Sequence, residues 1–128
     1  MVSVNQMKVL LVDDEDACIA STRLMLEGGG YVVESAMSGE EALSILKNKF
    51  NEFSIILLDL MLPDISGIEI IRSISSNPKF CKIPIIIQTG VSENREISNA
   101  IAEGAVSCLR KPYSFNVMNK QIKRAIAV

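Results

Sequence analysis

"SIILLDLMLPD", residues 54–64, carries an unbroken apolar run from Ile55 to Leu58 that ends on a carboxylate, Asp59. A short run without polar alternation is the pattern of a strand covered on both faces, as the strands of parallel sheets are. An aspartate at its end is either paired or placed where the strand opens into a solvated cleft, since an unpaired buried carboxylate is costly. The chain around it decides between the two.

Working outward, apolar runs alternate with segments of helical period. Strands are expected at Lys8–Val12, Tyr31–Ala36, Phe53–Leu58, Ile83–Gln88 and Val106–Arg110. Between and after them, apolar residues recur at helical spacing: Cys18, Ile19, Thr22, Met25 and Leu26, then Ala42, Ile45 and Leu46, then Ile68, Ile71 and Ile74. Ile97, Ala100 and Ile101 begin the fourth such stripe, and Phe115, Met118, Ile122, Ala125 and Ile126 form the last. Gly28 closes the first helix, Ser38 and Glu41 form a capping box for the second, and Ser114 caps the last. Pro78 and Pro84 break the chain before the fourth strand. Strands alternating with helices in this way predict an α/β domain with a parallel sheet, helices on both faces. Gly28–Gly29–Gly30 precedes a strand rather than a helix, so it reads as a helix stop and turn, not a phosphate loop.

Composition narrows the function classes. The 128 residues suit one domain, and 48% hydrophobic content supports a packed core. Lys+Arg 13 against Asp+Glu 15 leaves a net charge of −2, which gives no electrostatic case for nucleic acid. Three cysteines without a CxxC spacing, and no histidine, argue against zinc and for a reduced compartment. There is no run long enough for a membrane span and no signal-peptide core in "MVSVNQMK", so a soluble, cytoplasmic domain is expected.

The polar residues gather at one place. The predicted strands end in Asp13–Asp14, Asp59, Thr89–Gly90 and Arg110–Lys111–Pro112. In a parallel sheet all these ends lie along one edge, where ligands of open α/β folds bind. Each residue alone has an ordinary use: an acid capping the first helix, a turn hydroxyl, a solvated lysine. Nothing structural requires three acids at one edge. Carboxylates brought that close repel one another unless protons or a cation offset them. With only oxygen ligands on offer the fitting ion is hard, and Mg²⁺ suits best. A carboxylate beside Mg²⁺ and a lysine can attack a phosphoryl group and form an acyl phosphate, with the metal, the ammonium and the threonine hydroxyl stabilising the transferred group. Asp59 is thus expected in a cleft, as a phosphate acceptor.

"VLLVDDED", "IILLDLMLPDISG", "PIIIQTG" and "LRKP", in this order and spacing, resemble the receiver domain of bacterial two-component response regulators, over essentially the whole chain. The resemblance implies a flavodoxin-like, five-stranded sheet of order 2-1-3-4-5 and a signalling domain rather than an enzyme. It implies that Asp59 is the phosphoacceptor, that Asp13 and Asp14 hold Mg²⁺, and that the Met61 backbone carbonyl completes the metal shell. Thr89 matches the switch hydroxyl, Lys111 the phosphoryl-contacting lysine, and Lys111–Pro112 a bond that is cis in the family. The implied phosphodonor is a histidine kinase or histidine phosphotransfer protein. The implied output surface is strand five with the last two helices, open to an unknown partner or a phosphorylation-dependent homodimer through Val117, Lys120 and Arg124. Residues 1–128 are read as a single receiver domain with no effector domain.

Two positions depart from the family pattern. Cys108 stands where Tyr or Phe is usual, and Gly90 where alanine is usual. Without the ring, Thr89 and the loop Gly90–Asn94 are expected to carry the switch. A haloacid-dehalogenase-type phosphatase would need a second acid where Met61 stands. In a flavodoxin, "DDEDA" would repel the flavin's phosphate. A degenerate receiver would lack part of the charged set, which is complete here.

Overall fold

The computed structural model describes residues 7–90 and 94–127. Five strands, β1 (Lys8–Val12), β2 (Val32–Ala36), β3 (Ile55–Asp59), β4 (Ile85–Thr89) and β5 (Ser107–Arg110), form one sheet. All pairs are parallel and the order is β2-β1-β3-β4-β5, as expected. The helices are α1 (Asp16–Gly28), α2 (Gly39–Lys49), α3 (Gly67–Ser75), α4 (Asn94–Glu103) and α5 (Phe115–Ile126).

Side chains alternate across a strand, so each strand feeds two cores. Leu10, Val12, Ile56, Leu58, Ile85 and Ile87 pack against α2, α3 and α4. Val9, Leu11, Ile55, Leu57, Ile86 and Leu109 pack against α1 and α5 through Ile19, Leu26, Met118 and Ile122. This double coverage is why "VLLV" and "IILL" carry no polar alternation: every residue of β1 after Lys8, and all of β3, is buried. Each such Leu or Ile contributes about 1.5–3 kcal/mol of burial. Among the described residues no helix is long and apolar enough to cross a membrane.

Strand limits differ from the sequence reading in one consistent way. β3 and β4 each begin two residues later and end one residue later than expected, so Asp59 and Thr89 are the last residues of their strands rather than the first beyond them. Pro84 brings no N–H to a ladder, and its carbonyl instead accepts from Ile56. Tyr31, Phe53 and Val106 likewise stand just ahead of β2, β3 and β5. A 3₁₀ turn at Phe50–Glu52, absent from the sequence reading, joins α2 to β3. The α4 stripe is narrower than predicted: Ile97 and Ala100 are buried, whereas Ile101 faces outward. Residues 91–93 of the loop Gly90–Asn94 lie outside the described residues, as does the N-terminal segment 1–6.

The helix ends are held as the sequence suggests, with two differences. Ser38 accepts from the Glu41 amide, but the Glu41 carboxylate reaches back to the N–H of Met37 rather than of Ser38. Ser114 accepts from Val117. The turn after α1 is made by Gly30, which takes a positive φ of 93°. Two caps were not anticipated. Ser66 accepts from Glu69 to start α3, and the Asp64 carboxylate takes both the Gly39 and Glu40 N–H groups at 2.9 Å. Those backbone donors hold the Asp64 carboxyl below its ordinary value. Asp64 therefore ties the β3–α3 loop, the segment leading away from Asp59, to the start of α2.

Gly67 closes the same loop. Its N–H donates to the Leu60 carbonyl at 3.2 Å, and a Cβ built on it would lie 2.7 Å from the Leu60 Cα. Backbone cannot swing aside as a side-chain tip can, so Gly67→Ala should cost about 1–3 kcal/mol by overpacking. Urea denaturation of parent and variant measures this; a difference within error would show that the loop relaxes freely.

Candidate functional site

The register brings the predicted residues to one edge. Asp13 follows β1 directly and its N–H still pairs with the Ala36 carbonyl at 3.0 Å, so it is held as rigidly as a strand residue. Lys111 follows β5 in the same manner, its N–H donating to the Thr89 carbonyl at 2.9 Å. Alternation puts the side chains of Asp13, Asp59 and Lys111 on the α1/α5 side of the sheet, continuing Leu11, Leu57 and Leu109.

There Lys111 joins the two acids. Its Nζ lies 2.9 Å from Asp13 Oδ2 and 2.9 Å from Asp59 Oδ2. The other carboxylate oxygens are held by backbone: Glu15 N–H donates to Asp13 Oδ1 at 3.1 Å, and Met61 N–H donates to Asp59 Oδ1 at 2.9 Å. Asp13 is fully buried and Asp59 nearly so. Burial works against the Lys111 charge, yet the hydrogen bonds and fields of Asp59 and Asp13 outweigh it and raise the ammonium's pKa above its ordinary value. Of the two things its sequence position allowed, the structure shows the first: Asp59 is paired, and it is nearly buried at the end of its strand.

Thr89 is fully buried at the end of β4. As the residue after Gln88 it leaves the sheet toward α3 and α4, on the side opposite Asp59. Asp14 and Met61 are exposed at the rim, and Met61 contributes its backbone N–H to Asp59 while its side chain faces solvent. Asp14 stands apart from the tightest acidic grouping among the described residues, which brings Asp13, Glu15 and Cys18 within 4.8 Å of one another. Glu15, exposed and not singled out by sequence, donates its N–H to Asp13 Oδ1. Burial pushes the Cys18 thiol up, and the Asp13 and Glu15 carboxylates add to this against the opposing charge of Lys111. Most donors at this edge are carboxylate oxygens, and the one ammonium is bonded to two of the carboxylates. That is the chemistry of a hard divalent cation site.

Sequence reasoning passed over two further residues. Gln88 is fully buried in an otherwise apolar strand, paired in register with Asp59 on one side and Leu109 on the other. Tyr113 hydrogen-bonds to its Oε1. The signal was visible in "PIIIQTG" as an amide amid isoleucines. The Lys111–Pro112 bond is cis, as the resemblance implied. Cys108, at the usual aromatic position, is half-buried, and burial pushes its thiol up.

Comparison with known proteins agrees with this geometry. Residues 9–123 match the response regulator receiver domain family. Among curated proteins, the chain is 33% identical over 116 residues to the phosphate regulon transcriptional regulatory protein PhoB of Rhizobium meliloti, covering 91% of this chain and 50% of that protein. It is 34% identical over 122 residues to the cell cycle transcriptional regulator CtrA of Caulobacter vibrioides, covering 94% and 50%. The chain thus spans about half the length of the curated relatives it matches. Among solved structures, a receiver domain protein from Clostridium thermocellum superimposes with a TM-score of 0.87 at 31% identity, covering 94% of each chain. The chemotaxis response regulator CheY4 of Vibrio cholerae gives a TM-score of 0.85 at 28% identity, covering 94% of this chain and 98% of that one.

Proposed function

The chain belongs to the response regulator receiver domain family, and from that membership we propose that it is a phosphoacceptor in which Asp59 takes a phosphoryl group from a partner histidine kinase or histidine phosphotransfer protein. The observation that carries this reading is the Lys111 ammonium held 2.9 Å from both Asp13 and Asp59. An anion arriving beside Asp59 meets a positive charge already held in place by two carboxylates and partly desolvated.

Asp13, Asp14 and Asp59, with the Met61 carbonyl, would hold Mg²⁺, and the ion when bound supplies positive charge to the transferring oxygens. The chain's own residues do the rest. Met61 N–H orients the Asp59 carboxylate by binding Oδ1. Lys111 offsets charge on the incoming group, and Thr89 offers a hydroxyl from the adjacent strand end. The charge count supports the metal: Asp13 and Asp59 share the single Lys111 ammonium, and the net negative charge left over is one a divalent cation would correct. Incubation with Mg²⁺ and acetyl phosphate, followed by intact-mass measurement, tests the reading. The expected result is one added phosphoryl group, lost when Mg²⁺ is chelated; an unmodified mass would overturn it.

The output face is proposed to be α4, β5 and α5, where Ile101, Val106 and Val117 are exposed and Lys120 and Arg124 project outward. It would serve an output partner, or a second copy once phosphorylated. Cys108 cannot supply the burial that a mobile aromatic ring would gain, about 2 kcal/mol. A residue can shift a population only by its differential free energy between the two states. Thr89→Ala should therefore abolish the NMR shifts that beryllofluoride induces on α5, while Cys108→Ala should preserve them. Loss of those shifts in Cys108→Ala alone would give the switch to the thiol.

A further inference from the structure

Gln88 carries an amide that the fold does not use. It is fully buried, its Oε1 accepts from the Tyr113 hydroxyl, and its Nε2 has no hydrogen-bond partner among the described residues. Buried polar groups are nearly always satisfied, so an orphaned donor calls for a reason. Burial pushes the Tyr113 phenol up, which keeps it a neutral O–H donor, and Thr22 also hydrogen-bonds it. With the Tyr113 hydroxyl donating, the amide oxygen is the end that is spent. The end left over is a pair of N–H bonds.

The register says what those bonds stand beside. Gln88 is the in-register neighbour of Asp59, and side chains of paired residues in parallel strands leave the same face. Neighbouring strands lie about 4.8 Å apart, within the reach of a glutamine side chain. The Asp59 carboxylate already takes one donor on each oxygen, Met61 N–H and Lys111 Nζ, and each oxygen has a second lone pair. Resting on the assignment of Asp59 as phosphoacceptor, we infer that Gln88 is a positioning residue whose Nε2–H donates to the Asp59 carboxyl as its acyl phosphate breaks down, shortening the life of the phosphorylated state.

In that step water attacks phosphorus and the bond between phosphorus and the Asp59 oxygen breaks. The bonding pair returns to Asp59 as carboxylate, and the water's proton leaves with inorganic phosphate or to solvent. Phosphoryl transfer passes through a loose transition state in which the leaving group carries developing negative charge. A buried donor one strand away, free to turn onto the carboxylate as it forms, favours that charge. The same donor opposes the forward attack, because it makes the Asp59 carboxylate a weaker nucleophile.

Gln88→Met keeps the length and removes the donor. Purified phosphoprotein should lose its label roughly threefold to tenfold more slowly in Gln88→Met than in the parent, the factor expected for one neutral hydrogen bond. Phosphorylation by acetyl phosphate should be no slower. A merely loosened pocket would not slow the loss while sparing the gain. In the parent, beryllofluoride with Mg²⁺ should move the Gln88 side-chain amide protons downfield and slow their exchange with water, a measurement independent of any variant. Label loss at the parental rate, or amide protons that beryllofluoride leaves unmoved, overturns the inference while Asp59 stands. A parent that never takes up phosphate removes the Asp59 assignment, and this inference with it.

Discussion

Asp59→Asn should take up no phosphoryl group under conditions that label the parent fully. The substitution keeps shape and can still accept the Met61 N–H, so the fold should survive. It removes the anionic oxygen that attacks phosphorus, and a neutral amide is not a competent nucleophile here. Two other acids, Asp13 and Asp14, stand at the same edge, so the result is not automatic. Asp13 is fully buried with both oxygens engaged, one by Lys111 and one by the Glu15 amide. Asp14 is exposed, and among the described residues no lysine is held against it. Asp59 has the same two kinds of partner as Asp13, an orienting amide and the Lys111 ammonium, but its side chain is 8% exposed against 1%, which leaves it the more open to an incoming group. Intact-mass measurement with acetyl phosphate and Mg²⁺ decides the matter, and undiminished labelling of the variant would move the acceptor elsewhere.

The second large effect is on stability. Lys111→Met keeps most of the apolar stem and deletes the charge between two carboxylates whose side chains are only 1% and 8% exposed. Removing one partner of a buried ion pair typically costs about 3–5 kcal/mol, because the remaining charge is left without compensation. The lysine side chain is itself 22% exposed, which puts the expected loss near the lower end, about 3 kcal/mol at neutral pH. Against the total stability of a domain this size, about 5–15 kcal/mol, that is a substantial fraction. The loss should shrink in the double variant with Asp13→Asn, and on adding Mg²⁺, since each relieves the same repulsion. Urea denaturation of the four proteins in the cycle measures the coupling, and additive losses would mean that Lys111 and Asp13 do not act as a unit.

The same pair sets a pH dependence whose sign is definite. The folded protein holds the Lys111 ammonium above its ordinary value of 10.5. A group whose pKa is raised by folding contributes fully below the unfolded value, and that contribution fades as pH rises through the folded one. The Lys111 part of the stability is therefore intact at neutral pH and lost only in strong alkali.

Much of this was legible from residue order alone. Alternating apolar runs and helical stripes determined five strands and five helices, because a sheet covered on both faces admits no polar alternation in its central strands. The strand-end positions of Asp13, Asp59, Thr89 and Lys111 determined that they share an edge, because every strand of a parallel sheet points the same way. What the tertiary structure alone decided is which of them touch. Lys111 bridging Asp13 and Asp59 depends on three strands in adjacent register and on side-chain parity, distances no local pattern encodes. The same holds for Asp64 capping α2 across 24 or 25 residues of chain and for Glu15 lying within 4.8 Å of Asp13 and Cys18. Gln88 was hidden for the converse reason. In sequence it is one amide at the end of an apolar strand, and only the packing of Tyr113 against its carbonyl leaves a buried N–H beside Asp59 without a partner among the described residues.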